Sequence, residues 1–211
     1  MTPEDFIMAN ASLMAPPLVP EIKLYLASEV VAVWRATEEE LARIGLPPPY
    51  WAFAWAGGQA LARYVLDNPA MVRGKKVLDI GAGSGLVALA AAHAGAAQVL
   101  AADIDAFACA AIRLNAQANS LAVTVTQDDL IGAACSWDVI LVGDLFYERP
   151  LAERLLAWLT PFKAPVLLGD PGRNYFPKAQ AEKLAHYQVQ TTRDLEDREI
   201  RDTGVYLLKR G

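Results

Sequence analysis

Residues 77 to 86 read Val77-Leu78-Asp79-Ile80-Gly81-Ala82-Gly83-Ser84-Gly85-Leu86, a short apolar run that passes straight into a loop with glycine at every second position. The run has the composition of a buried strand, and the residues beyond it those of a helix. Alternating glycines between a strand and a helix let the backbone come close to a bound nucleotide-like molecule, because no Cβ stands in the way. The spacing narrows the ligand. A dinucleotide fingerprint requires glycines at the first, third and sixth positions of such a loop, and the sixth position counted from Gly81 is Leu86. A dehydrogenase is therefore disfavoured.

The next apolar run, Gln98-Val99-Leu100-Ala101-Ala102-Asp103, reads as a second strand ending in a carboxylate. A carboxylate there can accept hydrogen bonds from both ribose hydroxyls of an adenosine. Asp105 stands where the following helix begins and reads first as its cap. The loop pattern Gly-x-Gly-x-Gly, preceded by Asp79, resembles the S-adenosylmethionine site of the Rossmann-like methyltransferases, where no pyrophosphate has to be cradled. By that resemblance Asp79, Gly81, Gly83, Gly85, Asp103 and Ile104 bind the cofactor.

From residue 76 onward strands and helices alternate, which predicts a doubly wound α/β sheet. Strands are expected at 76–80, 99–103, 123–126, 138–143 and 165–169, and helices at 84–94, 106–119, 151–159 and 176–184. Residues 187–192 and 204–208 read as a closing antiparallel pair. Five parallel strands and a terminal hairpin make the seven-strand sheet of the class I methyltransferases, for which the resemblance implies the order 3-2-1-4-5-7-6. The first part of the chain differs. Residues 1–60 read as an N-terminal arm and cap packed on a methyltransferase domain of residues 61–211. Within it, 21–26 and 30–34 are expected to pair as a hairpin, and Thr37-Glu38-Glu39-Glu40 opens a short helix that Gly45 closes. Pro47-Pro48-Pro49 then leads into Tyr50-Trp51-Ala52-Phe53-Ala54-Trp55-Ala56-Gly57-Gly58-Gln59. This aromatic run can cap the sheet or wall the cofactor pocket. In the second role Trp55 stands near the methionine end, and Gly57-Gly58 permits close approach.

Composition excludes several classes. A chain of 211 residues forms one domain, or one with a short extension, and can bury a full core. It is 54% hydrophobic, yet no apolar stretch reaches the roughly 18 residues of a membrane span. The acidic start, Met1-Thr2-Pro3-Glu4-Asp5, is unlike a signal peptide or a mitochondrial presequence. Cys109 and Cys135 are isolated and suit a reducing bacterial cytoplasm, and with His93 and His186 they are too few and too scattered for a metal site. A net charge of −5 argues against a nucleic-acid surface. A monomer is expected.

Several residues at strand ends can carry chemistry. Asp144, in Gly143-Asp144-Leu145-Phe146-Tyr147, follows the fourth strand at the switch point where ligands bind in such sheets. There it faces the sulfonium methyl and can orient an acceptor amine and stabilise the positive charge that appears on it. General-base work is not assigned to it, since a carboxylate raises the pKa of a neighbouring lysine. Asp128 follows the third strand and can accept from the adenine amino group, while Asp129 reads as a solvated neighbour. Arg173, in Asp170-Pro171-Gly172-Arg173, is a candidate for holding the substrate backbone or an acid.

The segment 49–58, the phrase Leu66-Asp67-Asn68-Pro69, the glycine loop, Gly143 to Tyr147 and Gly169 to Arg173 together resemble the electron transfer flavoprotein β-subunit lysine methyltransferases. The likeness spans roughly residues 20–175. It implies methyl transfer from S-adenosylmethionine to lysines of that β-subunit, a protein substrate. It matches Asp144 and Tyr147 to the family's acidic and aromatic motif positions, which makes them catalytic; Trp55, Asp128 and Asp144 are further expected at the cofactor, and Phe146, Tyr147 and Arg173 at the substrate. The charged segment 194–202 departs from the pattern. Two other enzyme readings stay open. One is a lysine methyltransferase of a ribosomal protein. The other is a nucleic-acid amino-methyltransferase, whose Asp-Pro-Pro-Tyr motif has the length of Asp144 to Tyr147 but carries prolines where Leu145 and Phe146 stand. A binding subunit without activity would have lost Asp103 or Asp144.

Overall fold

The computed structural model describes residues 2–27, 48–134, 136–191 and 200–209. Helix α1 (Pro3–Asn10) and strands β1 (Ser12–Met14) and β2 (Leu24–Leu26) precede helix α2 (Ala56–Asp67) and strand β3 (Lys76–Ile80). Helix α3 (Leu86–His93), strand β4 (Gln98–Ala102), helix α4 (Ala106–Ala118) and strands β5 (Thr124–Thr126) and β6 (Val139–Gly143) follow. Helix α5 (Arg149–Leu159) and strands β7 (Val166–Asp170), β8 (Ala181–Gln190) and β9 (Ile200–Leu208) complete the chain.

Seven strands form one sheet in the order β5-β4-β3-β6-β7-β9-β8. The first five run parallel, and β9 lies antiparallel between β7 and β8. This is the expected 3-2-1-4-5-7-6 order. The parallel strands are apolar on both faces because both are covered. Val77, Val99, Val139, Leu141 and Leu167 pack with residues of α2 and α3 on one face. Leu78, Ile80, Ile140, Val142 and Leu168 pack with Ala152, Leu155 and Leu159 of α5 on the other. Each fully buried Val, Leu or Ile contributes about 1.5–3 kcal/mol, and a slip of register would exchange the two rows and lose the packing each now makes. The strand ends that carry Gly81, Asp103 and Asp144 are thereby held along one edge.

Three departures from the sequence reading matter. Residues 176–184 are not helical: a single 3-10 turn, Lys178–Gln180, leads directly into β8. Alanine, glutamine and lysine favour a helix, but pairing of Ala181 with Leu208 and onward along β9 overrides that preference. Strand β2 pairs with Ser12–Met14, a partner the sequence reading did not include. Helix α2 was not foreseen, and it runs through the expected boundary at residue 60 while packing on the sheet through Ala60 and Leu61. The strand expected at 30–34, the helix at 37–45, Cys135 and most of the charged segment 194–202 lie outside the described residues. Among the described residues, no helix is long and apolar enough to cross a membrane.

The rest of the arm is tied to the glycine loop through one buried side chain. Asn115 of α4 donates to the Ser84 carbonyl at 2.8 Å and accepts from the Tyr25 backbone N–H at 2.7 Å. Asn119, one turn on, exchanges hydrogen bonds with the backbone of Lys23.

Candidate active site

Strand β3 ends at Ile80, and the loop beyond it takes a conformation few side chains tolerate. Gly81, Gly83 and Gly85 have φ of +62°, +52° and +80°. The loop is pinned from the end of the neighbouring strand β4. Gly81 N–H donates to the Ala102 carbonyl at 2.9 Å, and Gly83 N–H donates to Asp103 Oδ2 at 2.8 Å. Asp103 Oδ1 accepts from Asp105 N–H at 3.0 Å, and Asp105 caps α4 by accepting from Phe107 N–H at 2.9 Å. Burial pushes the Asp103 carboxyl above the usual carboxylate range, against the backbone N–H groups that hold it down.

Gly81, Gly83, Asp103, Asp105 and Phe107 help to wall a cavity of about 670 Å³, inside the usual span for a small-molecule site. Of the residues singled out from sequence, Trp55, Gly81, Gly83, Asp103, Ile104, Asp144, Tyr147 and Arg173 line it. The aromatic wall is wider than the sequence reading made it. Tyr50, Trp51 and Phe107 line the cavity too, and the Tyr50 ring lies 6.0 Å from that of Trp55 and 5.8 Å from that of Tyr147. Tyr50 and Trp51 belong to the aromatic run already noted, whereas nothing in the sequence distinguished Phe107 from a core residue of α4. Burial pushes the Tyr147 hydroxyl up to about 12, so it stays protonated at working pH.

Four candidates lie elsewhere. Phe146 is 1% exposed and packs edge-on against Phe176 at 5.7 Å, in the core rather than toward a substrate. Of Leu145, Phe146 and Tyr147, only Tyr147 lines the cavity. Asp128 is exposed, accepts from the Thr126 hydroxyl at 2.7 Å and is not part of the cavity wall. Gly85 is needed for packing, since a Cβ there would come within 3.0 Å of Ile112. Asp79 is 1% exposed and accepts from Ala88 N–H at 2.9 Å, which ties β3 to α3. It borders a small hollow shared with Trp55, Gly81 and Gly83. Burial, helped by the neighbouring Asp103, pushes its carboxyl up to about 8. Asp129, read as solvated, pairs with Arg154.

Asp144 has a fuller set of partners than the sequence suggested. It has φ of +56°, and its N–H donates to the Gly169 carbonyl at 2.9 Å. Its Oδ2 accepts from the Gly57 N–H and from the Gly58 N–H, the latter at 3.1 Å, at the start of α2. Its Oδ1 accepts from Arg173 Nε at 2.9 Å and from Nη2 at 2.7 Å. The Arg173 guanidinium also lies over the Trp55 ring, 5.8 Å from its centroid. A cavity-facing carboxylate is thus paired with a cavity-facing guanidinium. Gly57 is required by this contact: a Cβ there would collide with the Gly169 carbonyl and the Asp144 carboxyl.

The donor set fits S-adenosylmethionine. A Cβ built on Gly83 meets nothing closer than the Tyr50 carbonyl oxygen at 3.9 Å, so the loop is an open cradle. Asp103 has about four lone-pair directions, and its bonds to the Gly83 and Asp105 N–H groups leave capacity for ribose hydroxyls.

Known proteins share more than this geometry. The chain is 41% identical over 197 residues to the electron transfer flavoprotein beta subunit lysine methyltransferase of Danio rerio, covering 88% of this chain and 75% of that protein. It is 40% identical over 214 aligned positions to the enzyme of that name from Xenopus laevis, covering 97% and 86%. The chain belongs to the electron transfer flavoprotein β-subunit lysine methyltransferase family. Like the family it is an S-adenosylmethionine-dependent protein-lysine methyltransferase. Residues 59–144 also match the ribosomal protein L11 methyltransferase (PrmA) family. The magnesium protoporphyrin IX methyltransferase of Synechocystis, solved with S-adenosylmethionine bound, shares the fold. It superposes with a TM-score of 0.54 at 14% identity, covering 73% of this chain and 78% of that one.

Proposed function

We propose that this methyltransferase modifies lysine side chains of the electron transfer flavoprotein β-subunit. The observation that carries the reading is that Asp144 and Tyr147 line the same cavity as Gly83 and Asp103. Adenosine-binding groups and acceptor-facing groups therefore share one space. The choice of protein rests on the names of relatives similar along most of the chain. The match to ribosomal protein L11 methyltransferases stops at residue 144. It takes in the glycine loop, Asp103 and Asp144 but neither Tyr147 nor the loop carrying Arg173, so it supports the cofactor half more than the acceptor half.

In this reading Asp103 accepts the ribose hydroxyls, and Ile104 and Phe107 flank the adenine. Trp55 covers the methionine end above the hollow bordered by Asp79 and Gly81. The bound cofactor supplies an electrophilic methyl group on a sulfonium. Tyr50, Trp55 and Tyr147 exclude water and align the aliphatic stem of the acceptor lysine. Asp144, with Arg173 on it, sets the charge that the ε-nitrogen meets as it changes from amine to methylammonium. The experiment is transfer of labelled methyl groups to purified flavoprotein β-subunit, ribosomal protein L11, RNA and duplex DNA. Label on β-subunit lysines is expected. Label on nucleic acid or L11, with none on the β-subunit, would overturn the reading.

A further inference from the structure

Strands β6 and β7 end side by side, and each delivers a carboxyl to this edge of the sheet. Asp144 belongs to the site. Asp170, the last residue of β7, is 1% exposed and is not part of the cavity wall. Its Oδ1 accepts from the Gly172 N–H and from the Arg173 N–H, each at 2.7 Å. These two bonds close the turn through Gly172, where φ is +95°. Its Oδ2 is buried and has no hydrogen-bond partner. From that turn the Arg173 side chain reaches back to Asp144 Oδ1 and over Trp55.

We propose that Asp170 is the positioning residue for Arg173, and that by holding the turn it keeps the guanidinium on Asp144 and so lowers the pH at which the acceptor amine loses its proton. The inference rests on the protein-lysine reading above. Its logic is electrostatic. An unmatched carboxylate at the cavity wall stabilises an ammonium and holds the lysine in its unreactive form. With Arg173 in place that pull is matched, and the amine loses its proton at lower pH. Near neutrality Asp170 is only partly ionised, and what it supplies to Arg173 at every pH is the pair of backbone hydrogen bonds that hold the turn. Burial pushes its carboxyl up to about 7, Asp144 adds to that rise, and Arg173 and the two backbone N–H groups oppose it. Tyr206 of β9 is the other titratable group it acts on, and burial together with Asp170 raises that hydroxyl. Tyr147, facing the acceptor, stays neutral throughout.

The test is the pH profile of single-turnover methyl transfer to saturating flavoprotein β-subunit, from about pH 6.5 to 9.5, around the range where a lysine begins to lose its proton. Asp170→Ala should displace the profile upward by about one pH unit, making the rate roughly tenfold slower near neutrality and nearly wild-type at the alkaline end. Cofactor affinity should stay within about twofold, since Asp170 does not touch the cavity. Asp170→Asn, whose amide oxygen still accepts both N–H groups, should follow the wild-type profile. Gly172→Ala disturbs the same turn from a side where a Cβ meets nothing within 4 Å. It should displace the profile in the same direction, and so carries the test if Asp170→Ala fails to fold. A uniform loss at every pH, an unchanged profile in Asp170→Ala or Gly172→Ala, or an Asn variant displaced like the Ala variant would overturn the proposal. Absence of lysine methylation by the wild-type enzyme is a separate result, which overturns the underlying function.

Discussion

Asp144→Asn is a demanding substitution for this site, although it changes only one atom. Asn tolerates the left-handed backbone that Asp144 adopts, so the main chain is not the issue. The difficulty is that Asp144 accepts on both sides: Oδ2 faces the Gly57 and Gly58 N–H groups, and Oδ1 faces Arg173. An amide offers one oxygen and one NH₂. Whichever way it turns, a donor meets donors, at the start of α2 or at the guanidinium. Removing one partner of a buried ion pair costs about 3–5 kcal/mol. The Arg173 side chain is 20% exposed against 9% for Asp144, so some water reaches the pair. That exposure puts the cost near the low end, roughly 3 kcal/mol. In a chain of this size each kcal/mol moves Tm by about 2–4 °C, and a thermal scan should show a drop of about 6–12 °C. Turnover, measured where both proteins are folded, should fall at least about a hundredfold, with a much smaller change in cofactor affinity. A Tm within about 1 °C of wild type, with normal turnover, would refute the two-sided role of this carboxyl.

Three other outcomes follow from the same geometry. Gly83→Arg should abolish S-adenosylmethionine binding in calorimetry by filling the open cradle, and Asp103→Ala should weaken it by about 1.5–3 kcal/mol; unchanged affinity in both would remove the pocket assignment. Asp79 is pushed up to about 8 by burial, so between its unfolded value and about 8 the folded chain binds more protons than the unfolded one. Stability therefore falls as pH rises through that window, and Asp79→Asn, which is neutral in both states, should flatten the dependence of Tm on pH between about 5 and 8. In single turnover with a lysine substrate, the wild-type rate should climb from about pH 7 to 9 as the amine loses its proton, whereas a base amino group would give a nearly flat profile.

Much of the fold was legible because strand composition and loop chemistry agree. The apolar runs at 77–80, 99–102 and 139–142 carry few features that a helix would want, and Gly81, Gly83 and Asp103 mark the edge they share. What escaped was decided by tertiary contacts. Helix α2 begins with Gly57-Gly58, which argues against a helix locally. Glycine stands there because the helix must come against Gly169 and Asp144. Residues 181–184 have a helical composition, but β9 recruits them as an edge strand. At the site, Asp144 and Tyr147 were readable from their motif. The neutralising Arg173 was legible only as a candidate for substrate, since the turn that brings it to Asp144 joins two strand ends that are distant in sequence. Phe146 looked functional by adjacency and is core.

Methyl transfer to protein lysine is proposed to take place in the cavity between Gly83, Asp103, Asp144 and Tyr147. Tandem mass spectrometry of purified electron transfer flavoprotein β-subunit, after incubation with S-adenosylmethionine and either wild-type enzyme or Gly83→Arg, tests it most directly. Methylated lysine residues are expected with the wild-type enzyme and none with the variant. Unmodified lysines with the wild-type enzyme, or equal modification by both, would contradict the proposal.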